Sequence, residues 1–136
     1  MNSPPPTGEM VTVLLVEDEE SLRELIREIL QANGYEVLEA EDPTKAIETV
    51  ANYEGAIHLL LTDVLMPGMN GRALAQRVRE RRPDIRILYM SGHTEDSIAQ
   101  SGLVEPGALL ISKPFTQESL ARKLREALGP RPREQG

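Results

Sequence analysis

The sequence predicts an α/β protein: one parallel sheet with helices on both faces. Two observations carry this prediction. Five short apolar runs alternate with five stretches of helical character, an order that folds as strand, crossover helix and parallel strand with right-handed connections. The central runs, such as Val13-Leu14-Leu15-Val16 and Leu59-Leu60-Leu61, are continuously apolar, which marks strands buried on both faces.

The elements follow in order. Residues 1–10 hold Pro4-Pro5-Pro6 and almost nothing to bury, and read as a flexible, Pro-rich lead. The first strand is Thr12 to Val16. The first helix spans Glu20 to Ala32, with Leu22, Leu25, Ile26, Ile29 and Leu30 on one face, and Asn33-Gly34 ends it. The second strand, Glu36 to Ala40, is less apolar and is expected at an edge. Asp42 caps the second helix and Pro43 takes its first position; Ala46, Ile47 and Val50 face inward.

The third strand is Leu59 to Asp63. Pro67, Gly68, Asn70 and Gly71 then build a tight loop. A helix from Gly71 to Arg82 turns Leu74 and Val78 inward, and its arginines read as a solvated face. The fourth strand is Ile85 to Met90. A short helix capped by Thr94 or Asp96 and ended by Gly102 is expected next. The fifth strand is Leu109 to Ser112. Thr116 caps a last helix with Leu120, Leu124 and Leu128 inward, stopped by Gly129-Pro130. Residues 130–136 form a polar tail.

If the strands are parallel, four of their ends share one edge, where open α/β sheets bind ligands. That edge carries Glu17-Asp18-Glu19-Glu20, Asp63, Ser91-Gly92 and Lys113-Pro114-Phe115. A carboxylate can act as a nucleophile and form an acyl phosphate, and Asp63, expected to be unpaired and solvent-reachable at a strand end, is the candidate. Crowded carboxylates repel one another, and a divalent cation with hard oxygen ligands relieves this; Mg²⁺, or Mn²⁺, fits. Lys113 can pair with a phosphoryl oxygen, and the Ser91 hydroxyl can donate to another; Pro114 leaves the peptide bond after Lys113 open to either isomer, cis or trans. Glu17 to Glu20 also suit a helix N-terminus. His93 reads as a loop residue, and no role is assigned to His58. Met66, Met69 and Met90 read as packing.

These motifs, in this order over roughly residues 11–128, resemble the receiver domain of two-component response regulators. The pattern Met90 to Asp96, Glu105-Pro106-Gly107 and Lys113 to Thr116 is similar to receivers at the C-terminus of hybrid sensor histidine kinases. The resemblance implies a flavodoxin-like fold with strand order 2-1-3-4-5, and a receiver domain at residues 11–129. It implies metal ligation by Asp18, Asp63 and the backbone carbonyl of Leu65, with Glu17 acting through a bound water. It implies a histidine kinase or histidine phosphotransfer partner docking near the first helix, and a cytoplasmic setting. In such receivers position 65 and position 93 flank the acyl phosphate, where an apolar Leu65 would shield it. They commonly place an aromatic three residues before the Lys; here that position is Leu110. The conformational change is therefore expected between Ser91 and Gly102, with little at Leu110.

Composition excludes other classes. The formal net charge of −7 argues against nonspecific nucleic-acid binding. There is no Cys, hence no disulfide framework or cysteine-ligated zinc. No apolar run reaches the ~20 residues that a membrane-spanning helix needs, and the N-terminus lacks a secretory pattern. No glycine-rich phosphate loop follows the first strand, which disfavours a nucleotide or flavin binder. Haloacid-dehalogenase-type phosphatases carry a second Asp two positions after the nucleophile, and Leu65 stands there instead. A stand-alone single-domain regulator remains the alternative to a hybrid-kinase receiver.

Overall fold

The computed structural model describes residues 10–92 and 102–129. Five parallel strands form one sheet in the order β2-β1-β3-β4-β5: β1 Thr12–Val16, β2 Glu36–Ala40, β3 Leu59–Asp63, β4 Arg86–Ser91 and β5 Leu109–Ser112. The described helices are α1 Glu20–Ala32, α2 Pro43–Asn52, α3 Gly71–Arg81 and α4 Gln117–Leu128. The short helix expected after β4, with its caps Thr94 and Asp96, lies outside the described residues, as do His93, the Pro-rich lead up to residue 9 and the tail.

The pleat sends alternate side chains to opposite faces. Leu14, Leu60, Ile87 and Tyr89 pack under α2 and α3, against Ala46, Val50, Leu74 and Val78. Val13, Leu15, Leu61, Leu88 and Met90 pack under α1 and α4, against Ile26, Leu30, Leu120 and Leu124. β1, β3 and β4 are central and buried, and β2 is an edge, as its mixed composition predicts.

The cap residues behave as their chemistry requires. Asp42 accepts from the Lys45 N–H at 2.8 Å, and Asn70 accepts from the Ala73 N–H at 2.8 Å. Thr116 and Ser119 form a reciprocal capping box. Glu105-Pro106-Gly107-Ala108 closes on an Ala108 N–H to Glu105 carbonyl bond of 3.1 Å, with Gly107 at φ 81°. Pro second and a positive-φ Gly third is the pattern of a type II turn, and it aims the chain into β5.

Three expectations are corrected. Leu25 is 47% exposed, because it lies at the rim of the apolar stripe of α1. β4 starts and ends one residue later than expected, so Ser91 belongs to the strand itself. The arginines of α3 are not simply solvated: Arg72 donates to the Gly102 carbonyl at 2.9 Å and Arg79 pairs with Glu105 at 3.1 Å. Arg82, just past the helix, donates to the carbonyls of Val50, Tyr53 and Gly55 at 3.1, 2.7 and 2.7 Å. It thereby caps the C-terminal end of α2, whose last carbonyls have no helical partner.

Arg82→Ala is expected to lower unfolding free energy by about 1–3 kcal/mol, since it leaves these carbonyls without a charged donor. Arg82→Lys recovers only part, because a single ammonium cannot reproduce the planar fork. Urea denaturation followed by circular dichroism measures both.

Candidate functional site

Parallel register sets the site. Val16 lies opposite Thr62, which brings the next residues, Glu17 and Asp63, to the same edge. Asp63 lies opposite Met90, and Ser91 opposite Ser112, the residue before Lys113. The Val64 N–H donates to the Met90 carbonyl at 2.9 Å and the Lys113 N–H donates to the Ser91 carbonyl at 2.7 Å, so pairing continues past the strand ends. Lys113-Pro114, whose isomer the sequence left open, is cis.

The side chains converge on a shallow cavity of about 330 Å³ lined by Glu17, Asp18, Asp63, Leu65, Ser91 and Lys113, among others. Lys113 Nζ lies 2.6 Å from Asp63 Oδ1 and 3.1 Å from Glu17 Oε1. Glu17 is 2% exposed, and its second oxygen accepts from the Glu19 N–H at 3.1 Å. Asp63 was expected to be unpaired and open to solvent. It is instead 5% exposed and held by Lys113, because the strand end that presents it also buries it.

Burial is the main force on the Asp63 carboxyl and pushes it up to about 7; Lys113 counteracts this in part, and Glu17 adds to it. Burial alone would lower Lys113, but Asp63 and Glu17 outweigh it and hold the ammonium above its ordinary value. The cluster is a partly buried cation shared between two buried carboxylates.

The donor set suits a hard divalent cation. Glu17, Asp18 and Asp63 each offer a carboxylate oxygen, all within 4.8 Å of one another. Asp18 is the exposed member, so the cluster opens to solvent on its side. Leu65, 53% exposed, stands at the rim.

Gly71 fixes the loop beneath the nucleophile candidate. Its N–H donates to the Val64 carbonyl at 2.7 Å, and a Cβ there would overlap the Asp63 carbonyl oxygen and sit 3.2 Å from Val64 Cα. Backbone atoms cannot yield as a flexible side chain can. Gly71→Ala is expected to cost about 1–3 kcal/mol of stability in urea denaturation, typical of overpacking. It should also shift the Asp63 amide resonance.

The residues that the sequence places at one sheet edge do meet there, but three pairings were not foreseen. The hydroxyl of Tyr89 donates to Glu105 at 2.8 Å inside the molecule. A Tyr in an otherwise apolar buried strand is the available signal, because its hydroxyl needs a partner there. His58, given no role, accepts the Thr12 N–H on Nδ1 at 2.9 Å and so ties β1 to the start of β3. Glu17 was assigned to the metal, with no hint that it also holds Lys113.

Residues 13–125 match the response regulator receiver domain family, and the chain belongs to that family. It is 36% identical over 117 residues to the sensor kinase CckA of Brucella abortus (strain 2308), covering 86% of this chain and 12% of that protein. It is 31% identical over 119 residues to the response regulator receiver protein CpdR of the same strain, covering 88% of this chain and 98% of that one. The chain spans less than half of several other relatives, such as 45% of YrkP of Bacillus subtilis (strain 168). Among solved structures, the receiver domain of the hybrid histidine kinase CckA superposes with TM-score 0.73 at 32% identity, covering 87% and 99% of the two chains. The chemotaxis protein CheY4 of Vibrio cholerae does so with TM-score 0.76 at 30% identity, covering 88% and 100%. The chain is thus a signalling domain of two-component systems with the flavodoxin-like sheet order. No described helix is long and apolar enough to cross a membrane.

Proposed function

We propose that this domain accepts a phosphoryl group from a phosphohistidine onto Asp63 and switches conformation in response. The observation that carries the reading is Asp63 buried at a strand end, between the Lys113 ammonium and two further carboxylates. An Asp63 carboxylate oxygen attacks phosphorus as the donor's P–N bond breaks, and the imidazole leaves with that electron pair. Lys113 passes from the Asp63 carboxylate to a phosphoryl oxygen while its contact with Glu17 holds it in place. The Ser91 hydroxyl donates to another phosphoryl oxygen.

Asp18, Asp63 and the Leu65 carbonyl, with Glu17 through a bound water, would hold Mg²⁺ or Mn²⁺. When bound, such an ion offsets the charge that gathers on the phosphoryl oxygens. The domain catalyses only its own phosphorylation and dephosphorylation. The exposed Leu25 on α1 suits an apolar contact with a helical kinase or phosphotransfer partner. Net charge −7 disfavours nucleic acid as a direct partner. Similarity to the CckA sensor kinase and to the solved CckA receiver supports origin in a hybrid histidine kinase with a cytoplasmic receiver. The near-complete coverage of CpdR supports the second reading, a stand-alone regulator.

The test is incubation with acetyl phosphate followed by intact-mass measurement. One phosphoryl group per chain is expected with Mg²⁺ and none with excess chelator. Equal labelling in both arms contradicts the reading.

A further inference from the structure

We propose that Tyr89, Glu105 and Arg79 form a relay that carries a change at Ser91 to α3 and to the turn entering β5. The proposal rests on reading Asp63 as a phosphoacceptor and adds a route out of that site.

Tyr89 is fully buried and is among the largest wholly enclosed side chains. Its hydroxyl donates to Glu105 Oε1 at 2.8 Å, and Glu105 Oε2 pairs with Arg79 Nη2 at 3.1 Å. Both carboxylate oxygens are therefore committed, one to β4 and one to α3. Arg72 adds a second tie from α3 to the same segment, at the Gly102 carbonyl. Three polar contacts thus hold residues 102–108 to the rest of the fold.

Tyr89 and Ser91 are two apart on one strand and so project to the same face. Ser91 cannot shift alone, because its carbonyl accepts from the Lys113 N–H and the Met90 carbonyl from the Val64 N–H. A pull on Ser91 therefore tilts the end of β4, and the long Tyr89 ring delivers that tilt to its hydroxyl. The bond joins a buried hydroxyl to a carboxylate already paired with a cation, and is costly to break, so Glu105 and Arg79 follow. Burial and Glu105 both keep the Tyr89 hydroxyl protonated well above neutral pH. Burial pushes Glu105 up, but Tyr89, its own backbone and Arg79 outweigh this and keep it ionised. Leu110, the register partner of Tyr89, has no polar atom to play this part.

Backbone NMR of the full chain with Mg²⁺, with and without beryllofluoride, tests the relay. Wild type should respond at 63, 91 and 113, and also at 78–80 and 105–108. Tyr89→Phe removes only the hydroxyl. It should keep the response at the site and largely abolish that at 78–80 and 105–108. Arg79→Gln, altered at the outer end of the relay, should lose the response at 78–80 alone and serves if Tyr89→Phe does not fold. An undiminished distal response in either variant overturns the relay, even where the variant melts at a lower temperature. So does a wild type that responds at the site alone. A wild type silent at 63, 91 and 113 overturns the phosphoacceptor reading itself, and the relay with it.

Discussion

Asp63→Asn is expected to incorporate no phosphoryl group from acetyl phosphate under conditions where the wild type is labelled fully. A carboxamide cannot form the acyl phosphate, and the other acids of the site do not replace it. Glu17 is committed to Lys113 and the Glu19 N–H, and Asp18 lies out in solvent. The loss should be chemical rather than structural. Asn keeps the shape of Asp63 and a carbonyl oxygen for Lys113, while removing one of two negative charges packed against that cation. Circular dichroism should show the variant folded and at least as stable as wild type at neutral pH. Labelling of the variant at the wild-type level would remove Asp63 from its assigned role.

The second large effect joins metal and pH. In the metal-free fold the Asp63 carboxyl is raised from 3.8 to about 7, chiefly by burial. Between these values the folded state binds the proton that the unfolded chain has released. Stability from this group is therefore fully present below 3.8 and is lost as pH rises to about 7. Without metal, the melting temperature of wild type relative to Asp63→Asn should fall across that window. Mg²⁺ added above pH 7 should restore it, because ligand binding to the folded state alone stabilises by about 2.7 kcal/mol at a hundred times Kd. On the proposed ligand set, Asp18→Ala removes a direct ligand. Changes to outer-shell partners alone cost about 10–100-fold in metal affinity, so this variant should lose at least that much. Calorimetric titration of Mg²⁺ into both proteins decides it; equal affinities would exclude Asp18 as a ligand.

The bounds of β1, α1 and β3 were legible because each is a strong local signal: an unbroken apolar run, or a stripe closed by Asn33-Gly34. The site was legible for the same reason, since each of its members stands at or just beyond the end of such a run. What was not legible depends on contacts between distant residues. Nothing near Asp63 announces that Lys113 rests on it, or that Glu17 shares that lysine. Arg82 reads as one more charge in a basic stretch, yet three carbonyls from another helix end surround it. Leu25 fits the helical period, but only the packed neighbours of α1 decide how far the buried stripe extends.

Borohydride trapping is the most direct measurement of the central claim. An acyl phosphate on an aspartyl side chain is reduced to homoserine, which peptide mass spectrometry locates to a single residue. After reaction with acetyl phosphate and Mg²⁺, homoserine is expected at position 63 and nowhere else. Full phosphorylation with Asp63 unreduced, and the label on another residue, would contradict the account.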